Sequence, residues 1–575
     1  MNAPDSRARI VRVNGPLVEV TDLNGVAVSE LVELGPSRLP AEVVGISGSR
    51  STLQAYEYTG GLAPGAGAWA RGYPLSAPLG PWLLGGVFDG LLRPLKGGPT
   101  WLAGGGLGAS TDGEWSWQPS IKTGDAVAAG SLLGVIETGG TLDYRVLAPV
   151  AVSGYVDFVS EAGSHRADEA LVRVDGVGVT MTEIWPVRQP RPCAERRDID
   201  RPLMTGQRVL DMLYPVGRGG SAAVPGGFGT GKTLLLQQVA KWCDADVIVY
   251  IGCGERGNEM ADVLDEFAEL TDPRTGGRLA DRTVIIANTS NMPMMAREAS
   301  IYSGVTVAEH FRDMGYHAVV IADSTSRWAE ALREFASRSG VMPAEEGYPA
   351  SLASSLAAFY ERAGPVITLG GLAGSVTVIG AVSPPGGDLT EPVSALTQRF
   401  VRAVWSLDHD LAYARHYPAV SWSGSFSRDA STIASWYARE GDSGWQIRRE
   451  LLSSILADSD RLTAFAELVG ASSLPDKERV QLLAGRLVRE GVLQQSSLVP
   501  NDAFCTAEKA VALADATLDV ISTCLELVDG ETSAADIEAF DFSTLLRAAI
   551  DVAPDDIAEI SRRHDDIVAR LRGTQ

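Results

Sequence analysis

The chain has 575 residues, 45% of them hydrophobic and 21% charged, the composition of an ordinary globular protein. At that length about three or four domains are expected, since one core stops growing well before it. A formal net charge of −23 argues against a nucleic-acid-binding surface, which needs clustered cations against phosphate.

No apolar run reaches the roughly 18 residues that a membrane span needs. Residues 1–9 lack an apolar signal core, so the cytoplasm is the expected compartment. Cys193, Cys243, Cys253, Cys505 and Cys524 form no CxxC pair, and the histidines show no HExxH spacing. Free buried thiols are therefore expected, without a zinc site or disulfide framework.

Residues 1–70 alternate short β-branched runs with turns, as in Ile10-Val11-Arg12-Val13, Asn14-Gly15-Pro16 and Leu17-Val18-Glu19-Val20. Close spacing of such runs predicts a small β-barrel. Residues 71–110 are rich in Gly and Pro and read as a connection. Residues 111–190 form a β-rich insert, of which Gly124 to Pro149 resembles the lipoyl and biotinyl carrier fold. Its hairpin tip, Thr138 to Asp143, has no lysine for attachment, which makes it a structural module.

From 191 to 430 the pattern changes to short, nearly continuous apolar runs separated by helical stretches. Examples are 247–251, 284–287, 318–322 and 376–379. Strands buried on both faces of a parallel sheet look like this. Residues 431–575 are helical: Ala507, Val511, Ala514, Leu518, Ile521, Leu525 and Val528 recur at three and four, and 446–458, 475–490 and 555–572 read similarly. The fold class is thus multidomain α/β.

Within the parallel-sheet segment, Gly226-Gly227-Phe228-Gly229-Thr230-Gly231-Lys232-Thr233 is a complete GxxxxGK[ST] phosphate-binding loop. Glycines let successive N–H groups converge on one phosphate, Lys232 reaches the β/γ-phosphates, and the Thr233 hydroxyl is placed for Mg²⁺. Residues 234–242 read as the helix whose N-terminus faces the phosphate. Two carboxylates complete the pattern. Asp323 ends the run 318–322, where Mg²⁺ coordination needs an acid. Glu255 lies just past the run 247–251, between Gly254 and Gly257, where a carboxylate can orient the water attacking the γ-phosphate. Arg256 and Glu259 stand beside it. The bland alternatives are a helix-capping Asp323 and a solvated Glu255.

With these residues the chain resembles the catalytic A subunit (alpha chain) of V-type and archaeal-type rotary ATPases. The matching segments are Gly254 to Glu259, Asn291-Met292-Pro293, Ala296 to Ser300, Ala322 to Ala331, Glu345 to Pro349 and Ser383 to Asp388. The resemblance covers essentially the whole chain. It includes the β-rich insert, absent from the F-type beta subunit, flagellar export ATPase and Rho families. It implies a RecA-like nucleotide-binding domain, with ATP or ADP and Mg²⁺ as cofactors. Lys232 and Thr233 become the phosphate and Mg²⁺ residues, Glu255 the water-activating carboxylate, Arg256 a γ-phosphate contact and Asp323 the Walker B acid. Arg327 helps order the site.

The implied partners are B subunits in an alternating A₃B₃ ring, which supply the arginine finger, together with central and peripheral stalks. A separate membrane sector carries H⁺ or Na⁺, leaving the chain peripheral to the membrane. Thr230 stands where eukaryotic members carry a reactive cysteine, and Gly227 where Ala or Pro is usual. Leu498 takes the place of an aromatic residue against adenine, with Tyr417 as the remaining ring. The competing expectations are a Rho-type translocase and a purely structural ring subunit. Acidic balance and the insert weigh against the first.

Overall fold

The structure, a computed structural model, describes residues 8–95, 113–272 and 275–573. Residues 1–7 of the segment inspected for a signal core, the end of the expected connection (96–110) and the first two residues of the insert lie outside the described residues. The described residues divide into two compact units. One lies within Met1–Asp198, Ala245–Val382 and Thr390–Phe400; the other within Ile199–Asp244, Ser383–Leu389 and Val401–Gln575. The stretch 191–430 is therefore shared between them.

In the first unit, six antiparallel strands run in the order Arg9–Asn14, Leu17–Thr21, Arg50–Ala55, Leu39–Ser47, Glu30–Leu34, Ala68–Pro74. A bridge from Arg9 to Gly67, and a bond from Ile10 N–H to the Ala66 carbonyl at 2.9 Å, close the sheet into the expected barrel. Alternation does the sorting: Val18 and Val20 point inward with Ile10, Val32, Leu34, Val43 and Leu53, while Glu19 faces out. The insert consists of two four-stranded antiparallel sheets, with Trp117, Leu133, Ile136, Val156 and Val172 buried among their side chains. Its lysine-free tip joins Leu132–Glu137 to Tyr144–Leu147, and Thr138 Oγ1 donates to the Leu142 carbonyl at 2.6 Å.

A parallel sheet follows the order Ala373–Val382, His317–Asp323, Val247–Cys253, Thr283–Asn288, Val87–Phe88. Its edge strand comes from the stretch read as a connection, which also supplies Ser76–Leu79, paired with Glu183–Pro186 of the insert. Gly- and Pro-rich composition concealed these strands because each is only two to four residues long. Helix Met294–Asp313 is buried along nearly its whole length. Its charges are paired internally: Arg362 grips Glu309 at 2.8 and 2.5 Å, and Arg188 grips Glu298 at 2.8 and 2.7 Å.

In the second unit, Ser221–Pro225 pairs parallel with Ala403–Val404, which pairs antiparallel with Phe426–Ser427. No strand follows Ser427 among the described residues. Helices Trp445–Val469, Asp476–Val488, Ala507–Asp529 and Ile557–Arg572 make the C-terminal region. The buried face of Ala507–Asp529 runs through Ala510, Leu513, Ala514, Thr517, Val520, Ile521, Cys524 and Leu527. That is displaced by one position from the expected stripe, because the helix is covered on two sides, by Asp476–Val488 and by Ile557–Arg572. Even Lys509 is fully buried there, its ammonium donating to the carbonyls of Asn501, Ala549 and Val552 at 2.7, 2.8 and 2.8 Å. No helix among the described residues is long and apolar enough to cross a membrane.

Candidate functional site

The second unit carries the phosphate loop. Strand Ser221–Pro225, buried throughout, leads into the loop, and helix Lys232–Trp242 leaves it. This is the strand–loop–helix context that gives the motif its meaning. Gly231 occupies the helix N-cap with φ +86°, and a Cβ added there would come within 3.2 Å of the Tyr417 ring. Both backbone conformation and space thus call for glycine. Thr230 is buried, and its hydroxyl donates to the Gly227 carbonyl at 2.9 Å, bracing the loop from inside. Lys232 Nζ donates to the Gly226 and Gly227 carbonyls at 2.6 and 2.8 Å. Phe228 and Thr233 are exposed.

Tyr417 lies beside this loop and, with Gln207, Leu234, Pro418, Gln495 and Ser497, lines a narrow crevice of about 20 Å³. Leu498, expected to pack on adenine, is 92% exposed and is not part of that wall. The reason is local. Gln495 is held by its N–H to the Tyr417 carbonyl and by its side chain to Gly206, and Ser496 N–H donates to Asp502. The chain then turns outward, so Ser497 meets the crevice instead.

The first unit carries the acids. Asp323 closes strand His317–Asp323, only 3% exposed, in register with Gly252 of the neighbouring strand. Glu255 follows strand Val247–Cys253 by a turn at Gly254, where φ is +75°. A Cβ at 254 would lie 2.7 Å from the Arg327 side chain and 3.2 Å from that of Arg297. The close passage brings two arginine stems against the turn. Glu255 is half-buried. Burial, then the negative charge of Asp323, then Glu259, push its carboxyl up to about 8, with Arg327 pulling the other way. Arg327 is itself half-exposed and paired with Glu330 at 3.0 Å. Arg256 is exposed at the N-cap of helix Gly257–Glu269, and Glu259 sits in that helix's first turn. Among the described residues no cluster of three or more His, Cys, Asp or Glu could hold a metal.

Within this unit, then, the structure assembles Glu255, Asp323, Glu259 and Arg327. Two further residues join them. Tyr250 donates its hydroxyl to Asp323 Oδ2 at 3.3 Å, and Arg297 donates to the Ser290 carbonyl at 3.0 Å. Tyr250 had one signal in the sequence, a hydroxyl inside an otherwise aliphatic run.

Four family models match the chain. They are the ATP synthase alpha/beta family beta-barrel domain (10–68), its barrel-sandwich domain (108–188), its nucleotide-binding domain (206–427), and the C-terminal domain of V and A type ATP synthase (434–534). The V-type ATP synthase alpha chain of Anaeromyxobacter sp. (strain K) is 52% identical over 87% of this chain and 88% of its own. That of Nitrosococcus oceani is 48% identical over 91% and 90%. The A subunit of the A-type ATP synthase of Thermococcus onnurineus is 45% identical over 91% of each. Among solved structures, the ATPase EscN of the enteropathogenic E. coli type III secretion system matches with a TM-score of 0.66, covering 89% of this chain and all of that one. At 21% identity it speaks for the fold alone.

Proposed function

The chain belongs to the V/A-type ATP synthase alpha (A) subunit family, and on that premise we propose that residues 226–233 bind ATP or ADP for catalysis. The chain is a nucleotide-binding subunit of an ATP-hydrolysing or ATP-synthesising machine. The observation that supports this reading most directly is the intact loop, with its glycine at the helix N-cap and Lys232 held over the loop carbonyls. An ammonium bonded to two carbonyls can exchange them for phosphate oxygens, which are stronger acceptors. Tyr417 takes the adenine ring.

Thr233 and Asp323 offer the hard oxygen donors that Mg²⁺ prefers, and the near-complete burial of Asp323 suits a group meant to meet a cation. Mg²⁺ bound with ATP would supply neutralisation of the charge that builds on the phosphoryl oxygens. Glu255 orients the attacking water and, in its ionised form, accepts its proton, so the rate follows a carboxyl pushed up to about 8. Glu259 tunes that carboxyl, Arg327 stabilises its ionised form, and exposed Arg256 is available to the γ-phosphate. Most of the rate then comes from positioning and charge stabilisation.

In this proposal the chain sits in an A₃B₃ ring with stalk subunits, the B subunit supplying the arginine finger. A membrane sector outside this chain would carry H⁺ or Na⁺, with this chain on its cytoplasmic face. Replacing Glu255 with Gln in the reconstituted ring tests the assignment. ATP should still bind while hydrolysis falls by two or more orders of magnitude, on the order of what general-base and water-positioning groups contribute. Hydrolysis at the wild-type rate would sink the role given to Glu255.

A further inference from the structure

We propose that Tyr250 is a positioning residue for the cation site, holding the Asp323 carboxylate through its phenolic hydroxyl. The inference rests on the reading of Asp323 as the Mg²⁺ acid. Tyr250 sits in strand Val247–Cys253, whose residues are all buried, and is itself 1% exposed. Side chains two apart on a strand share a face, and Asp323 is in register with residue 252, so Tyr250 and Asp323 lie on one side of the sheet. Residue 252 is glycine, which leaves no side chain of its own between them. Met260 fills that space from helix Gly257–Glu269: a Cβ at 252 would fall 2.1 Å from its sulfur.

The same helix covers the tyrosine ring. Phe267 meets it edge-on, with centroids 5.7 Å apart and planes at 81°. Packing alone would be served equally well by phenylalanine. The hydroxyl adds one interaction, its bond to Asp323 Oδ2 at 3.3 Å. Burying a hydroxyl costs desolvation, which this bond offsets. A phenol is protonated at neutral pH and acts here as the donor. A donor on one carboxylate oxygen restricts rotation about the Asp323 Cβ–Cγ bond, and so fixes how the carboxylate is presented to a cation. Tyr250 touches neither nucleotide nor water in this scheme; it works through Asp323.

Tyr250→Phe in the assembled ring tests this with nucleotide binding, not turnover. Fluorescence titration with a mant-labelled ATP, in EDTA and over a Mg²⁺ series, separates affinity for the nucleotide from the gain that Mg²⁺ confers. Affinity in EDTA should be unchanged. The Mg²⁺ needed for half of the gain should rise roughly fivefold to tenfold, the size of an ordinary lost hydrogen bond of about 1 kcal/mol. Phe267→Leu serves as the packing control: it should lower the melting temperature while leaving the Mg²⁺ series in place.

A Tyr250→Phe series superimposed on the wild type overturns the proposal. So does a Phe267→Leu series displaced as far as that of Tyr250→Phe, since the effect would then belong to packing. Failure of the wild-type ring to bind the nucleotide at all would instead overturn the nucleotide reading on which the proposal stands.

Discussion

The Glu255 carboxyl makes the sharpest quantitative demand. Burial and the neighbouring acids hold it at about 8, so at neutral pH most of it carries a proton. Only the ionised form can accept a proton from water. With a single titration at that value, kcat/KM should climb about tenfold per unit on the acid side, and roughly fifteen-fold between pH 6.5 and 8.0. The sign for stability is opposite. A carboxyl raised in the folded state favours folding below its unfolded value, and that contribution is lost as pH rises through 8.

The causes of the shift supply the controls. Glu259→Gln removes a negative neighbour and should move the limb to lower pH, whereas Arg327→Ala removes the opposing cation and should move it higher. Phosphate release at low ATP, from pH 5.5 to 9.5 at constant ionic strength and with Mg²⁺ in excess, reads this limb. Low ATP matters because kcat/KM reports the free enzyme. Differences between variants on one substrate also cancel ATP's own titration. A limb that neither substitution moves, or one centred below pH 6, would refute the assignment of that titration to Glu255.

Two further outcomes are expected. Glu309→Gln leaves the buried Arg362 without its carboxylate and should cost about 3–5 kcal/mol in urea denaturation of the isolated chain, whereas Glu309→Leu with Arg362→Met should cost far less. A loss below about 0.5 kcal/mol in the single variant would contradict that account. N-ethylmaleimide should leave ATP hydrolysis intact. Thr230 offers no thiol in the loop, Cys243, Cys253, Cys505 and Cys524 are buried, and burial pushes Cys253 and Cys524 up to about 12. Intact-mass spectrometry should show label first on half-buried Cys193. Rapid inactivation with label on Cys253 would contradict the burial argument.

Much of this protein was legible in its residues because the relevant physics is local. A phosphate loop needs glycines at fixed offsets and a lysine at the helix start, so 226–233 announced itself. Uninterrupted β-branched runs marked the buried parallel strands, and the carboxylates just past two of them marked the acids. The resemblance joined these pieces into a family. Short strands were another matter: Val87–Phe88 is two residues long, too short for any period to show, and exists only because Thr283–Asn288 offers it an edge.

Side-chain direction was equally out of reach. Leu498 stands out in solvent because the bonds that anchor Gln495 and Ser496 set the path of the chain before it. The stripe on Ala507–Asp529 was displaced because neighbours on two sides, not its own periodicity, decide which face is covered. Tyr250 shows the same division of labour. Composition placed a tyrosine in a buried strand. Only the register of that strand against His317–Asp323, with a glycine opposite the acid, brings its hydroxyl to a carboxylate 73 residues away. Chain identity decides what each segment can do chemically, and long-range packing decides which groups meet.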